Sequence, residues 1–382
     1  MRVAPRGPGA GPTRVNIVYD LRYATDHFPG IGTHAHALLH ALVSAPGDDR
    51  FRVLWGERDR TTRFDPAAFA RRERVDWVTV REPSLGALAP LGTGSVLRRV
   101  GGDVYLSPFY LRPVGARIPV VLTLPDVVHL APESRSSWKL RMLFGLALRH
   151  ARGASAVITP SEFSREELIR RAGFPADRLH VVPQGVPPCS QAPAERPAGA
   201  PQKPFALVVG VNRPHKNLDL LFHAWRLLGD SRPLELVAVG PVDPRFPSVD
   251  QLAREAGVSG THTLGLVPPA QLDWLYANAT LLLFPSRYEG FGFPLLEAAA
   301  HGTPVIASDI PALRELGDGV VRFVDAADAP AWAGAIRELA ADAAERARMR
   351  ELGQALAARH DYAEVARRTL EILAPLARRA AA

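Results

Sequence analysis

The run Glu289-Gly-Phe-Gly-Phe-Pro-Leu-Leu-Glu297 orders two carboxylates, two glycines and a proline in a way that suits a phosphate-bearing ligand. Gly290 and Gly292 let the backbone approach a ligand closely, and Pro294 suits the first turn of a helix running to about Ala300. A helix start after a glycine turn presents N–H groups and the positive end of the helix dipole, a natural seat for a diphosphate. Glu289 precedes the turn and Glu297 lies within the helix, so the two acids address different parts of one ligand and do not form an acid–base pair. A second group, Val211-Asn-Arg213-Pro-His215-Lys216-Asn217, sets two cations at a strand end, which suits a pyrophosphate, with Asn217 able to cap the next helix. A third, Leu124-Pro125-Asp126-Val-Val-His129, carries a carboxylate and an imidazole just past another apolar run. In a fourth, Pro29-Gly30-Ile-Gly32-Thr33, two glycines before a helix allow close approach to the diphosphate and to a second substrate. His36 and His40 stand one helical turn apart, but no third ligand accompanies them. They read as packing or surface histidines, and no metal site is expected.

Loops of this kind need strands to present them. Apolar runs at residues 15–19, 51–55, 75–80, 104–106, 119–124, 156–159 and 179–182 alternate with helical patterns such as 33–43 and 138–151. That alternation indicates a parallel α/β sheet. The prolines at 187, 188, 193, 197, 201 and 204 interrupt it and read as a linker. A second alternation follows, with runs at 205–210, 234–240, 263–266, 280–284, 304–307 and 320–324. The expected architecture is α/β, two doubly wound Rossmann-like domains with a cleft between them. Residues 14–186 form the first domain and 205–360 the second, joined by the linker 187–204. Residues 1–13 are a disordered lead-in, and 361–382 form a helix packing back towards the first domain. Ligands of such sheets sit beyond the carboxyl ends of the strands, where all four groups fall. The basic, amphipathic stretch 138–149 has an aliphatic face that reads as core packing in preference to membrane contact.

Composition narrows the field. With 382 residues, 47% hydrophobic and 22% charged, the chain has the profile of a globular protein with room for two cores. Its single cysteine, Cys189, excludes an intramolecular disulfide and a multi-cysteine zinc site, and fits a reducing cytoplasm. The Pro/Gly/Arg-rich start has no apolar core and does not read as a signal peptide. No apolar run is long enough to span a bilayer, so contact with a membrane is expected to be peripheral at most, at the inner face. The net charge of +7 rests on arginine, only three of the 46 basic residues being lysine (Lys139, Lys203, Lys216). Without a basic run interleaved with aromatics or a zinc-finger spacing, nucleic acid is not an expected partner.

The segment from Glu289 to Val305 resembles the signature of the retaining glycosyltransferase family 4, whose members have the GT-B fold; Glu289, Phe291, Gly292, Glu297, Gly302, Pro304 and Val305 carry the match. The resemblance implies that Glu289 and the Phe291–Gly292 backbone hold the hydroxyls of a donor sugar. It also implies that amides around Phe293, Leu295 and Leu296 face the diphosphate and that Glu297 bonds the ribose. Lys216 falls where the family lysine does. The family arginine that often follows the glycine is Val211 here, so Arg213 is the expected substitute. Asp20 to Thr33 resembles the family's first strand and Gly-Ile-Gly loop, which makes Gly32 a donor contact, and 158–165 also matches, with Ser161 as the cap of a helix near the cleft. One position departs. The family usually has His-Asp after the strand ending near Leu124, and this chain has Pro125-Asp126, with His129 three residues on. Asp126 and His129 therefore join Glu289 as the candidate catalytic residues. The implied activity is transfer of a sugar, with retention, from a nucleotide-diphosphate sugar to an acceptor hydroxyl on a saccharide, a lipid-linked glycan or a secondary metabolite, with no cofactor. The rival is a nucleotide-sugar-binding protein in which Pro125 has impaired transfer.

Overall fold

The computed structural model describes residues 14–25, 29–56, 73–86, 88–187, 193–229 and 232–381. The lead-in 1–13, the loop 57–72 and Cys189 lie outside the described residues. Each apolar run is a strand. The first sheet comprises β1 (Asn16–Asp20), β2 (Arg50–Gly56), β3 (Val75–Val80), β4 (Val104–Ser107), β5 (Val120–Thr123), β6 (Ala156–Thr159) and β7 (Leu179–Val181), all parallel in the order β3-β2-β1-β4-β5-β6-β7. Strands β4, β5 and β6 are buried at every position because helices cover both faces of the sheet. Three of these helices, α2 (Ala89–Val100), α3 (Trp138–Ala151) and α4 (Glu162–Ala172), press Val96, Leu97, Phe144, Leu148 and Leu168 onto one face. On the other face α1 (Pro29–Ser44) packs Leu38, Leu39 and Leu42 against Ile17, Tyr19 and Val53.

Two expectations need correction here. Pro29 begins the helix, so Gly30 and Gly32 sit in its first turn and not in a loop before it; the fixed φ of proline is pre-organised for a helix start. The aliphatic face of α3 is only partly core: Phe144, Leu148 and Ala151 are buried, whereas Trp138, Met142, Leu143 and Leu146 face solvent.

The second sheet is also parallel, in the order β10-β9-β8-β11-β12-β13. Its strands are β8 (Phe205–Val209), β9 (Glu235–Val239), β10 (Thr261–Gly265), β11 (Leu281–Phe284), β12 (Val305–Ser308) and β13 (Arg322–Val324). The helices are α5 (Leu218–Leu228), α6 (Val249–Glu255), α7 (Pro269–Asn278), α8 (Phe293–Ala300), α9 (Pro311–Gly317), α10 (Ala329–Ala341) and α11 (Ala343–Ala358). The strand order reverses between β8 and β11, and a crevice opens at such a switch point.

The last helix, α12 (Tyr362–Ala381), leaves this domain and packs on α1 of the first. Val365, Ala366, Leu373 and Ala377 join the core beneath α1, and Tyr362 reaches His34 with its hydroxyl 3.1 Å from Nδ1. The backbone binds at the same place, Val186 N donating to His360 O at 2.8 Å.

Candidate active site in the cleft

The switch point of the second sheet sets the β8 and β11 loops side by side. Lys216 leaves a single 3-10 turn (Pro214–Lys216) and its Nζ lies 2.6 Å from Glu289 Oε1 on the β11 loop. Both side chains are largely withdrawn from solvent, at 17% and 13% exposure, so water screens the pair only weakly. The Lys216 ammonium also stands 5.6 Å from the centre of the Phe284 ring.

Asn217 does not cap α5 with its side chain. It adopts the left-handed conformation (φ 58°) and its Nδ2 donates to Pro285 O and Ala326 O, both at 2.9 Å. Asparagine tolerates that conformation, and the two bonds tie the loops after β8, β11 and β13 together. Arg287 N adds a bond of 2.7 Å to His215 O.

Arg213 turns away from Lys216. Its Nε lies 3.2 Å from Asp243 Oδ2, and Arg245 grips the same carboxylate at 2.6 and 2.8 Å. These charge-assisted bonds, with the two guanidiniums beside it, hold the Asp243 carboxyl well below the usual carboxylate range. Asp243 and Arg245 carry no signal of their own in the sequence beyond their place after β9, at the carboxyl edge of the sheet.

The first domain closes on this loop. An added Cβ at Gly290 would fall 2.2 Å from Pro125 O and 2.8 Å from Asp126 Cβ, so the glycine is what permits contact across the cleft. Ser161 Oγ donates to Gly290 O at 2.6 Å, and Ser164 Oγ lies 2.9 Å from Gly290 O and 2.8 Å from Pro125 O. Ser161 also caps α4 by accepting from Ser164 N at 3.0 Å. Glu315 of α9 crosses the seam and accepts from the first amides of α4, Glu162 N at 2.8 Å and Phe163 N at 3.1 Å. A carboxylate there also faces the positive end of the helix dipole. Pro125, which offers no side-chain donor, thus serves the seam through its carbonyl.

Asp126 lies against this contact, its Oδ1 accepting from Val128 N at 2.8 Å. Burial raises its carboxyl above the usual value and the nearby Glu289 charge adds to that, against the Val128 bond and the cations of Lys216 and Arg213. His129 points elsewhere. It lines a cavity of about 230 Å³ with Arg135, Arg213, His215, Arg245 and Phe246. Its Nδ1 is 3.1 Å from Ser136 Oγ and its ring meets Phe144 edge-on. Burial, then Arg213 and Arg245, lower its pKa, leaving a neutral imidazole at neutral pH. Asp126 and Glu289 therefore come together, and His129 belongs to a cationic chamber beside them.

On the other side of the β11 loop, α8 starts at Gly292, whose φ of 123° requires glycine. The amides of Leu295 and Leu296 both bond to Gly292 O, at 3.0 and 3.3 Å, and Pro294 has no N–H. The amides of Leu295 and Leu296, two of those named from the sequence, are thus engaged within the helix, and the side chains of both residues are core. Phe291 is buried, with Phe293 edge-on to its ring at 5.9 Å. Glu297 accepts from Tyr276 OH at 2.7 Å. Tyr276, which no local pattern marks, positions that carboxylate. Gly32 sits in the opposite domain, buried in the first turn of α1.

Two family models match the chain in succession: Glycosyltransferase Family 4 over residues 29–188 and Glycosyl transferases group 1 over residues 193–355. The chain belongs to the family 4-type glycosyltransferases of GT-B fold. Among relatives of this family, the O-antigen chain mannosyltransferase B of Escherichia coli is 30% identical over 250 residues, 60% of this chain and 63% of that protein. A D-inositol 3-phosphate glycosyltransferase of Xylanimonas cellulosilytica is 32% identical over 245 residues, 59% of this chain and 58% of that protein. The chain thus spans about three fifths of the length of these curated relatives. Solved GT-B structures match over nearly the whole chain. Anabaena HepE in complex with UDP-glucose aligns with a TM-score of 0.70 at 19% identity, covering 95% of this chain and all of that one. WaaG, a glycosyltransferase involved in lipopolysaccharide biosynthesis, aligns with a TM-score of 0.69 at 18% identity, covering 94% and 99%.

Proposed function

We propose that this protein transfers a sugar, with retention of anomeric configuration, from a nucleotide-diphosphate sugar to an acceptor hydroxyl. The observation that carries the reading is the Lys216–Glu289 pair, held at 2.6 Å at the switch point of the second sheet and facing Asp126 across the Gly290 seam. The names of relatives and neighbours support it, being sugar transferases and a UDP-glucose complex. Lys216 takes the charge that develops on the diphosphate as the sugar leaves. Arg213 supports it from the rim of the cationic chamber, and the dipole at the start of α8 acts from the other side. Glu289 accepts hydroxyls of the donor sugar, and Glu297, oriented by Tyr276, accepts those of the ribose.

In the transfer, the bond from the anomeric carbon to the phosphate oxygen breaks and the acceptor oxygen bonds to that carbon on the same face. The acceptor proton passes to the departing phosphate oxygen, so no separate base is required. The reading needs no metal and no further cofactor. The acceptor lies in the chamber beside His129, whose neutral imidazole is suited to hydrogen-bond a hydroxyl.

A panel of nucleotide sugars, incubated with candidate acceptors and assayed for nucleoside diphosphate release, tests this. Release with at least one donor is expected, and Lys216→Met is expected to slow it on the order of 100-fold. Tight donor binding with no release across the panel would instead favour a nucleotide-sugar-binding protein.

A further inference from the structure

Among the described residues, none covers the outer face of α3. Trp138 is 69% exposed, Met142 51%, Leu143 60% and Leu146 58%, on a helix whose other side is buried through Phe144, Leu148 and Ala151. At about 100° per residue the four apolar side chains spread over an arc of roughly 140°. Lys139 and Arg149 fall inside that arc and Arg141 borders it. No aspartate or glutamate occurs between Ser134 and Ser161, nor between Val104 and Pro125.

The patch continues sideways. Val114 N donates to Pro90 O at 2.8 Å, and Arg112 O lies 3.1 Å from His150 Nε2, which brings the start of α2 alongside α3 over the same sheet face. That start exposes Leu88 (71%) and Leu91 (54%).

We propose that this face, centred on Trp138, Met142 and Leu146, docks on the surface of an anionic lipid bilayer. A tryptophan beside aliphatic side chains and cations suits the boundary between headgroups and acyl chains. The cations supply attraction to anionic headgroups, and no acid on the helix opposes them. A second copy of the chain fits the patch poorly, because a two-fold contact would face Lys139 and Arg149 with the same cations. The cap of α3, Ser137, and Leu140 in its first turn also line the cationic chamber. Docking therefore sets the chamber beside the lipid surface; resting on the proposed transfer, an acceptor carried by a lipid would enter it without leaving the bilayer.

The test uses the full chain with sedimented vesicles of phosphatidylcholine alone or mixed with phosphatidylglycerol. Binding to the mixed vesicles is expected, weakened by high salt, with little binding to phosphatidylcholine alone. Trp138→Ser with Leu146→Ser is expected to lower the partition about tenfold or more. Lys139→Glu with Arg149→Glu removes the preference for phosphatidylglycerol, and Leu227→Ser, on an exposed position of α5, leaves binding unchanged. Circular dichroism and thermal melts of the variants should match the wild type, since all these positions are solvent-facing. The proposal is overturned by wild-type protein that stays off mixed vesicles, by a serine variant that binds like wild type, or by velocity sedimentation showing that the patch joins two copies in its place. Nucleoside diphosphate release without vesicles is a separate readout, so loss of docking and loss of transfer are distinguished.

Discussion

Gly290→Ala tests the seam that joins the two domains at the site. Gly290 has no positive φ, so alanine brings no backbone strain, and any effect comes from the methyl group meeting its neighbour. That neighbour is Pro125 O, 2.2 Å from the new Cβ, whereas an ordinary contact of this type needs about 3.3 Å. The loops must part by roughly 1 Å, and overpacking of this kind costs about 1–3 kcal/mol. The same movement stretches the hydrogen bonds of Ser161 and Ser164 to Gly290 O, now 2.6 and 2.9 Å, each contributing about 1 kcal/mol. A total of about 3 kcal/mol shifts the balance between closed and open domains by roughly a hundredfold.

Small-angle scattering should report a larger radius of gyration for the variant. Donor-dependent nucleoside diphosphate release should fall about 100-fold, the size expected of a misplacement near 1 Å. Thermal unfolding of the domains should change little, because the added methyl group meets Pro125 and Asp126 across the seam and not the core of its own domain. Ser161→Ala with Ser164→Ala should move both readouts in the same direction by a smaller amount. A variant with wild-type scattering and wild-type release would refute the reasoning. So would a large loss of thermal stability, which would mean that Gly290 shapes its own domain and not the seam.

Two further outcomes follow from single contacts. Tyr276→Phe removes the 2.7 Å bond that orients Glu297; a bond to a charged group contributes about 1.5–3 kcal/mol, so the Kd for UDP, measured by calorimetry, should rise at least about tenfold, and an unchanged Kd would remove Glu297 from the nucleotide site. His34 is buried under Tyr362 and burial lowers its pKa from 6.5 to about 4. The unfolded chain takes up that proton first, so the contribution is complete above about pH 6.5 and is lost as pH falls towards 4, amounting to roughly 3 kcal/mol. Urea midpoints measured at both ends of this window should therefore fall more steeply for the wild type than for His34→Gln, and parallel curves would contradict the assignment.

Much of this protein is decided by local pattern. Thirteen apolar runs alternating with helical periods already specify two parallel sheets, because a strand covered on both faces must be apolar throughout. The order of glycine, proline and carboxylate from Glu289 to Glu297 likewise marks a strand–turn–helix unit before any coordinate is known. What the sequence could not contain is distance between remote residues. Lys216 meets Glu289 across 73 positions because β8 and β11 pair at the switch point of one sheet, and Gly290 meets Ser161 across 129 because two separate sheets face one another. Arg213 and Lys216, neighbours in sequence, part company because Asp243 takes one and Glu289 the other. The period of α3 shows that the helix has apolar residues on more than one side, but only packing decides which side the sheet covers. There Phe144 and Leu148 fill the core, and Trp138, Met142 and Leu146 are left facing outwards.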